Sequence, residues 1–251
     1  GAENQQEKQR VWDDSYAGVW HFPDHDIAST SDSCSYGNNS IAKNNASSTA
    51  EGKIGGAFGF DGSNDYLQVR NNASVAFNDT ITIMAWIKPY TAGGDDRGRI
   101  VSIGNYGSDP KGWTLSFHTS NKLTFAHYID SDWDPVYSSE WDITLNTWQL
   151  VAATYDNGAV KLYVNNEVVG TGNIGTFAMG DENFAIGICE WNMQRQFKGL
   201  IDEVRLSRAV RSQDWIYTAY NNQNDPSTFV IAQDEETGPG PAGYWPLDEG
   251  Y

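Results

Sequence analysis

Cysteine and positive charge are both scarce in this chain of 251 residues, which has 2 Cys and sets 16 Lys and Arg against 33 Asp and Glu. Cys34 and Cys189 fall in no CxxC or Cys/His spacing, which removes the usual metal motifs and leaves either one disulfide or two buried thiols. The formal net charge of −17 speaks against nucleic acid and anionic membrane partners, since both need basic patches. It suits calcium binding and an extracellular life, or simply a solvated acidic surface. No apolar run approaches the ~18 residues of a membrane span, and no signal peptide is seen. The opening GAENQQEKQR reads as a cut from a longer precursor.

What is present is apolar and aromatic. Hydrophobic residues make up 39%, aromatic residues 13%, and there are 10 Trp, enough to fill a core and to exclude a disordered chain. Nearly every segment alternates with period two and stops at Gly, Asn or Asp, the pattern of strands. Strands are expected over 57–62, 65–69, 81–89, 99–104, 113–119, 122–129, 148–156, 159–169, 184–188 and 197–207. Ile81, Ile83, Ala85 and Ile87 share one face of their strand, with Thr82, Met84 and Trp86 on the other, so both faces are covered. Only 212–223 reads as helical, with Ser212 as N-cap and Trp215, Ala219 and Tyr220 at helix spacing. Many short, evenly spaced strands and one late helix predict an all-β fold, an antiparallel β-sandwich jelly roll with one short C-terminal helix.

The acidic, Pro/Gly-rich stretch DEETGPGPAG (234–243) has the composition of a spacer between modules. After it Ala242-Gly243-Tyr244-Trp245 repeats Ala17-Gly18-Val19-Trp20. The expected organisation is therefore 1–16 as the tail of a preceding domain or an N-terminal extension and 17–233 as one domain. Residues 234–251 read as a linker and the start of a following module, making the chain a slice from a tandem array.

Seven phrases, in order, carry a resemblance: AGVWHF (17–22), DSCSYGNNSIAKN (32–44), GKIGGAFGFDGSNDYLQV (52–69), ITIMAWIKP (81–89), WQLVAATYDNGAVKLYVNNEVV (148–169), FAIGI (184–188) and FKGLIDEVRLSRAV (197–210). Together they resemble the LamG-like jelly-roll domains of the concanavalin A-like lectin/glucanase superfamily, from multidomain secreted prokaryotic proteins. The resemblance implies a structural calcium at the FDGSNDY turn, held by Asp61, Asn64 and Asp65 and joined by Asp32, Asn38 and Asp202. Calcium takes six to eight oxygens from such groups, although Asp and Asn are also ordinary turn formers. Cys34 stands where the family has a small polar residue, and a Cys34–Cys189 disulfide is one pairing this allows.

The superfamily includes glycoside hydrolases and polysaccharide lyases. Retaining hydrolysis needs two carboxylates about 5–5.5 Å apart, and the E-x-D-x-x-E or E-x-D-x-E run that would place them is missing. Asp181-Glu182 lies in a turn, and Asp202 and Glu203 are strand neighbours expected on opposite faces. His118 and His127, on successive strands, read as ordinary sheet residues. The chain is therefore expected to be non-catalytic.

Aromatic rings beside amides and carboxylates suit sugar recognition, the ring covering the C–H face of a pyranose while the polar groups fix its hydroxyls. Such residues are Tyr128, Asp132 and Trp133 in 127–142, Trp191, Asn192 and Arg195 in 189–197, and Tyr106 in 104–113. Packing of these rings onto the sandwich is the alternative. The expected function is a non-catalytic carbohydrate-binding or adhesion module of an extracellular or cell-surface protein, stabilised by calcium. Its partners would be a polysaccharide or glycan and other modules of the same polypeptide, with no nucleic acid and no direct membrane insertion. A structural spacer or protein-interaction domain is the first alternative, and a glycoside hydrolase or polysaccharide lyase the second.

Overall fold

A computed structural model describes residues 11–22, 30–44, 46–49, 51–91, 97–104, 111–129, 132–139, 142–189 and 192–229. The strands are β1 (Tyr16–Trp20), β2 (Ser40–Asn44), β3 (Ser47–Thr49), β4 (Ala57–Asp61), β5 (Tyr66–Val69), β6 (Thr80–Pro89), β7 (Arg97–Ile103) and β8 (Trp113–His118). They continue as β9 (Lys122–Ile129), β10 (Asp132–Tyr137), β11 (Gln149–Asp156), β12 (Ala159–Val164), β13 (Glu167–Asn173), β14 (Phe184–Ile186) and β15 (Lys198–Ser207). Helices α1 (Gln213–Asn224) and α2 (Pro226–Phe229) follow. The strands form an eight-stranded sheet, ordered β13-β12-β11-β6-β15-β4-β3 with β1 also on β15, and a seven-stranded sheet, ordered β10-β9-β8-β7-β14-β5-β2. Every strand pairing is antiparallel. This is the two-layered β-sandwich that the alternation predicts.

Between the sheets lies the main core, in which Trp20 stacks on Phe184 and Trp113 on Phe125. Ile81, Ile83, Ala85 and Ile87 of β6 enter that core, while Met84 and Trp86 turn outward beneath α1. Burying one such large apolar side chain is worth about 1.5–3 kcal/mol, so α1 is held by the second face of the same strand. Ser212 caps α1, its side chain accepting from Trp215 N. Ile216 of α1 is buried with Met84, Trp86, Leu150, Ala152 and Tyr163, and Trp215, Ala219 and Tyr220 pack around them.

Three sequence expectations need correction. Residues 159–169 are two strands, parted at Asn165-Asn166, itself an expected turn, where Asn165 adopts φ 57° in the left-handed region. The stretch 132–137, which lies outside every expected strand, is a strand paired with β9. Asp202 and Glu203 do not alternate. A bulge between Asp202 and Arg205, with Glu203 at φ 51°, breaks the period. Both carboxylates are consequently buried on the helix side of β15.

That bulge gathers distant segments. Asp202 Oδ2 accepts from Lys53 N (3.0 Å) and Ile54 N (2.9 Å), and Oδ1 from Glu203 N (2.7 Å). Glu203 meets His21 Nδ1 at 2.5 Å and accepts from Arg205 Nη2 (2.6 Å) and from Gln223 Nε2 of α1 (3.1 Å). Gln223 in turn accepts from the Trp86 indole at 2.8 Å. The N-terminal segment is docked here too, with Trp12 beneath the Arg205 guanidinium and Asp13 paired to Arg211.

Burial pushes the Asp202 carboxyl up to about 8 against the N–H donors that favour its anion, while Glu203, also buried, is held low by His21 and Arg205. Between 3.8 and about 8, folded Asp202 therefore holds a proton that the unfolded chain has released. Its contribution to stability is full below the lower value and is lost as pH rises through the window. Thermal unfolding between about pH 4 and pH 8 is expected to show this loss, and Asp202→Asn, which cannot titrate, to flatten it. Equal slopes in the two proteins would contradict the assignment.

Candidate functional site

The outer face of the seven-stranded sheet is paved with small side chains. In β8, Trp113, Leu115 and Phe117 point into the core, so Thr114, Ser116 and His118 face outward. The register extends these positions across the sheet. One row runs Ala185–Ser102–Thr114–Ala126–Pro135, the next Arg99–Ser116–Thr124–Tyr137, and the next Arg97–His118–Lys122. Ser102, Thr114, Ser116, Thr124, Ala126 and Ala185 are buried although they face away from the core.

Part of that cover comes from residues 188–189 and 192–196. Ile188 turns onto the outer face, its carbonyl accepting from Ser102 Oγ at 2.8 Å, and the chain returns where Arg195 O accepts from Arg99 N at 2.9 Å. Between them Cys189 and Gln194 form a bridge, and Met193 and Arg195 take left-handed φ values of 55° and 58°. Asn192 fixes the turn from within, its Oδ1 accepting from Gln194 N and its Nδ2 donating to Gln194 Oε1. Gly187 begins the excursion at φ 88°, where a Cβ would lie 2.3 Å from the Phe60 ring.

Arg99 is 0% exposed on this face, its Nη1 donating to Ser116 Oγ at 2.9 Å. Tyr137 is 36% exposed at the sheet margin. The His118 ring meets Tyr137 edge-on, centroids 5.7 Å apart, and Lys122 Nζ lies 5.8 Å from the Tyr137 centroid. His118 Nδ1 is 3.0 Å from Thr119 O. His127 belongs to the other face, stacked on Phe177 and bonded to Ile174 O. The two histidines are thus not a pair.

Of the expected sugar-binding residues, Tyr128 and Trp133 are register partners, as are Ile129 and Asp132, at the far end of the β9–β10 hairpin. This puts them beyond Trp113, which pairs with His127. Asn192 and Arg195 belong instead to the excursion beside Arg99. Tyr106 and Trp191 lie outside the described residues, as does the repeated phrase at 242–245. Arg97, Arg99, His118, Lys122 and Tyr137 were not singled out by sequence as a group. The available signal is the alternation Arg97-Gly98-Arg99 in a strand, which sets both cations on one face.

The six expected calcium ligands fall into three networks. Asp32 Oδ1 accepts from Val19 N and Cys34 N, and Oδ2 from Asn38 N and Cys34 Sγ. Those four donors fill the lone pairs of the carboxylate, so Asp32 pins β1 and does not fit a cation. Asn38 is spent on Ala17 O, Ser74 Oγ and Asn72 Nδ2. Asp202 is taken up by the backbone of Lys53, Ile54 and Glu203. Only the Asp61–Asp65 turn keeps an open oxygen. Asp65 Oδ2 accepts from Asp61 N at 2.6 Å, whereas Asp65 Oδ1 is buried without a partner, and burial raises this carboxyl above its ordinary range. Among the described residues no group of three or more His, Cys, Asp or Glu side chains is placed to hold a metal.

Cys34 and Cys189 form no disulfide. Cys34 packs on Tyr16 and Val19 outside the main core, and Cys189 lies in the excursion on the opposite sheet. Burial pushes the Cys34 thiol up to about 12. A thiol reagent is therefore expected to label neither cysteine in the native protein and both in the denatured, unreduced chain; no labelling after denaturation would contradict the structure.

These features define a class, the jelly-roll sandwich. The family model Laminin_G_3, described as the Concanavalin A-like lectin/glucanases superfamily, matches residues 61–217, and the chain belongs to that family. No curated protein sequence matches it. Among solved structures it is similar to the binding domain of Paraclostridial Mosquitocidal Protein 1, with a TM-score of 0.66 at 16% identity, over 83% of this chain and 52% of that one. It is similar also to Domain 4 of AbnA, a GH43 extracellular arabinanase from Geobacillus stearothermophilus in complex with arabinotriose, with a TM-score of 0.64 at 20% identity, over 81% and 97%. A third is the ligand binding domain of Botulinum neurotoxin serotype D in complex with N-acetylneuraminic acid, with a TM-score of 0.64 at 16% identity, over 86% and 53%. The chain spans about half the length of these toxin domains. At such identities the likeness is one of fold.

Proposed function

We propose that this chain is a non-catalytic carbohydrate-binding module of an extracellular or cell-surface protein, taking a polysaccharide or glycan on the outer face of the seven-stranded sheet. The observation that carries the reading is the exposed Tyr137 ring beside His118 and Lys122, at the margin of a floor of small hydroxyl side chains. A ring of this kind covers the C–H face of a pyranose, and neighbouring polar groups orient the hydroxyls. The shared fold with domains bound to arabinotriose and N-acetylneuraminic acid supports the reading. Trp191, Trp133, Tyr106, Tyr128, Asp132, Asn192 and Arg195 are proposed as further ligand contacts. Linked copies of the module would raise avidity for a repetitive polymer without new contacts.

The adjacent carboxylates Asp202 and Glu203 are buried beneath α1 and spent on backbone and side-chain donors, which supports a non-catalytic role. Affinity electrophoresis in gels containing arabinan, galactan, xylan or pectin is the test. Tyr137→Ala is expected to weaken retention about tenfold with the fold intact. No retention of the native chain in any gel would favour a spacer, and new reducing ends or unsaturated products would mean an enzyme.

A structural calcium is proposed for the Asp61–Asp65 turn alone, with Asp61, Asn64 and Asp65 as ligands. It would relieve the buried Asp65 oxygen and tie β4 to β5. Millimolar calcium is expected to raise Tm by about 5 °C over EDTA, and Asp65→Asn to abolish the difference. An unchanged Tm, with no metal by elemental analysis, would overturn this.

A further inference from the structure

The phrase Ala-Gly-x-Trp occurs twice in this chain, at 17–20 and at 242–245, and its first occurrence has a defined structural role. As β1 it adds to the second half of β15, pairing Tyr16 with Ser207 and Trp20 with Val204. Ala17 and Trp20 are buried in the main core, where the Trp20 ring stacks on Phe184 and its indole donates to Asn38 O at 3.0 Å. That ring folds back over Gly18, where an added Cβ would lie 2.1 Å from it. Residues 242–245 repeat all three constrained positions, so the core-filling part of β1 has an equivalent elsewhere in the same chain.

The flanks differ. Before β1, Asp13 accepts from Arg211 Nη2 through both oxygens (2.9 and 2.8 Å), Ser15 Oγ accepts from the same nitrogen, and Ser15 O accepts from Arg208 N at 2.7 Å. The Trp12 ring lies 4.9 Å from the Arg205 guanidinium and 5.0 Å from the Tyr16 ring, while Arg211 covers Tyr16 and Trp215. After β1, His21 meets Glu203. At the places that match Trp12, Asp13, Ser15, Tyr16 and His21, the second phrase has Thr237, Gly238, Gly240, Pro241 and Pro246. None of these offers a carboxylate to Arg211, a ring to Arg205 or an imidazole to Glu203.

We propose that residues 12–15, with His21, are a lock that reserves the second half of β15 for 17–20 against the second Ala-Gly-x-Trp phrase of the same chain. Selection here is a difference in binding between two strands that fill the core alike, made by their flanks. The competitor is within reach. Gln223 near the end of α1 bonds the same Glu203 as His21, so the chain leaves α1 at the His21 end of β1. To enter in the direction of β1, residue 242 must return to the Ser212 end of α1, about 18 Å away along a helix of 12 residues. The twelve residues 230–241 span up to about 40 Å. Where modules opening on the same phrase share one polypeptide, such a lock keeps each first strand with its own sheet, since misassembly between similar linked units is their characteristic failure.

Hydrogen exchange of the whole chain, read by mass spectrometry, separates the two strands. In the native protein the amides of 17–20 are expected to be protected and those of 242–245 to exchange freely. In Trp12→Ala/Asp13→Ala/Ser15→Ala, protection at 17–20 is expected to fall about tenfold and protection at 242–245 to appear, in a protein still monomeric by sedimentation. Adding Trp245→Ala to that variant is expected to return protection to 17–20 alone. Asp13→Asn keeps the rings and breaks only the ion pair. It is expected to shift both segments in the same directions by less, and it carries the test if the triple variant does not fold. Loss of protection at 17–20 with no gain at 242–245 overturns the lock and leaves residues 12–15 as a stabilising contact only. Protection of 242–245 in the native protein, unchanged exchange in every variant, or exchange that proceeds only through a dimer overturns it as well.

Discussion

Strand β15 is where the fold is tied together. It lies inside the eight-stranded sheet, with β6 along one side and β4 and then β1 along the other. Its bulge turns Asp202 and Glu203 onto one face, and burying two carboxylates is tolerated only when each is fully hydrogen-bonded. Satisfying them is what fixes the backbone at Lys53 and Ile54, the His21 end of β1 and the Gln223 end of α1. Three segments far apart in sequence thus owe their positions to one irregularity. The helix that hides the bulge also covers Trp86, so the apolar and polar parts of the back surface support each other.

The front surface follows from the same geometry with a different choice of residues. The strands of the seven-stranded sheet send their large side chains inward, and their other face carries Ser, Thr and Ala in two adjacent rows. Ile188 and Arg195 are both joined to β7 at this face, through Ser102 and Arg99. What stays open is the margin at Tyr137, where the floor ends and cations begin. Rigid strands therefore hold the candidate binding groups, and whatever preorganisation they have comes from the sheet.

Much of the fold was legible because strand alternation is a local property. Ile81, Ile83, Ala85 and Ile87 against Met84 and Trp86 announced a strand covered on both sides, and Ser212 announced the start of α1. β10 was hidden because its sequence, DWDPVY, mixes acids, rings and a proline, and it is a strand because β9 offers it a partner along its full length. The bulge was hidden because a period-two reading has no means of skipping a residue. The expected ligands Asp32 and Asp202 show the same limit, since a carboxylate in a sequence looks alike whether its oxygens await a cation or backbone N–H groups remote along the chain.

By itself, the sequence determined the layered β architecture, the late helix and the family, because alternation, turn residues and ordered phrases are carried by near neighbours along the chain. Only the tertiary structure decided that Asp202 and Glu203 share a face, that the two cysteines sit on different sheets, and that Arg97, His118, Lys122 and Tyr137 meet. Those groupings depend on register between strands remote in sequence or on one residue dropped from a ladder. Register is set by how the whole sandwich closes.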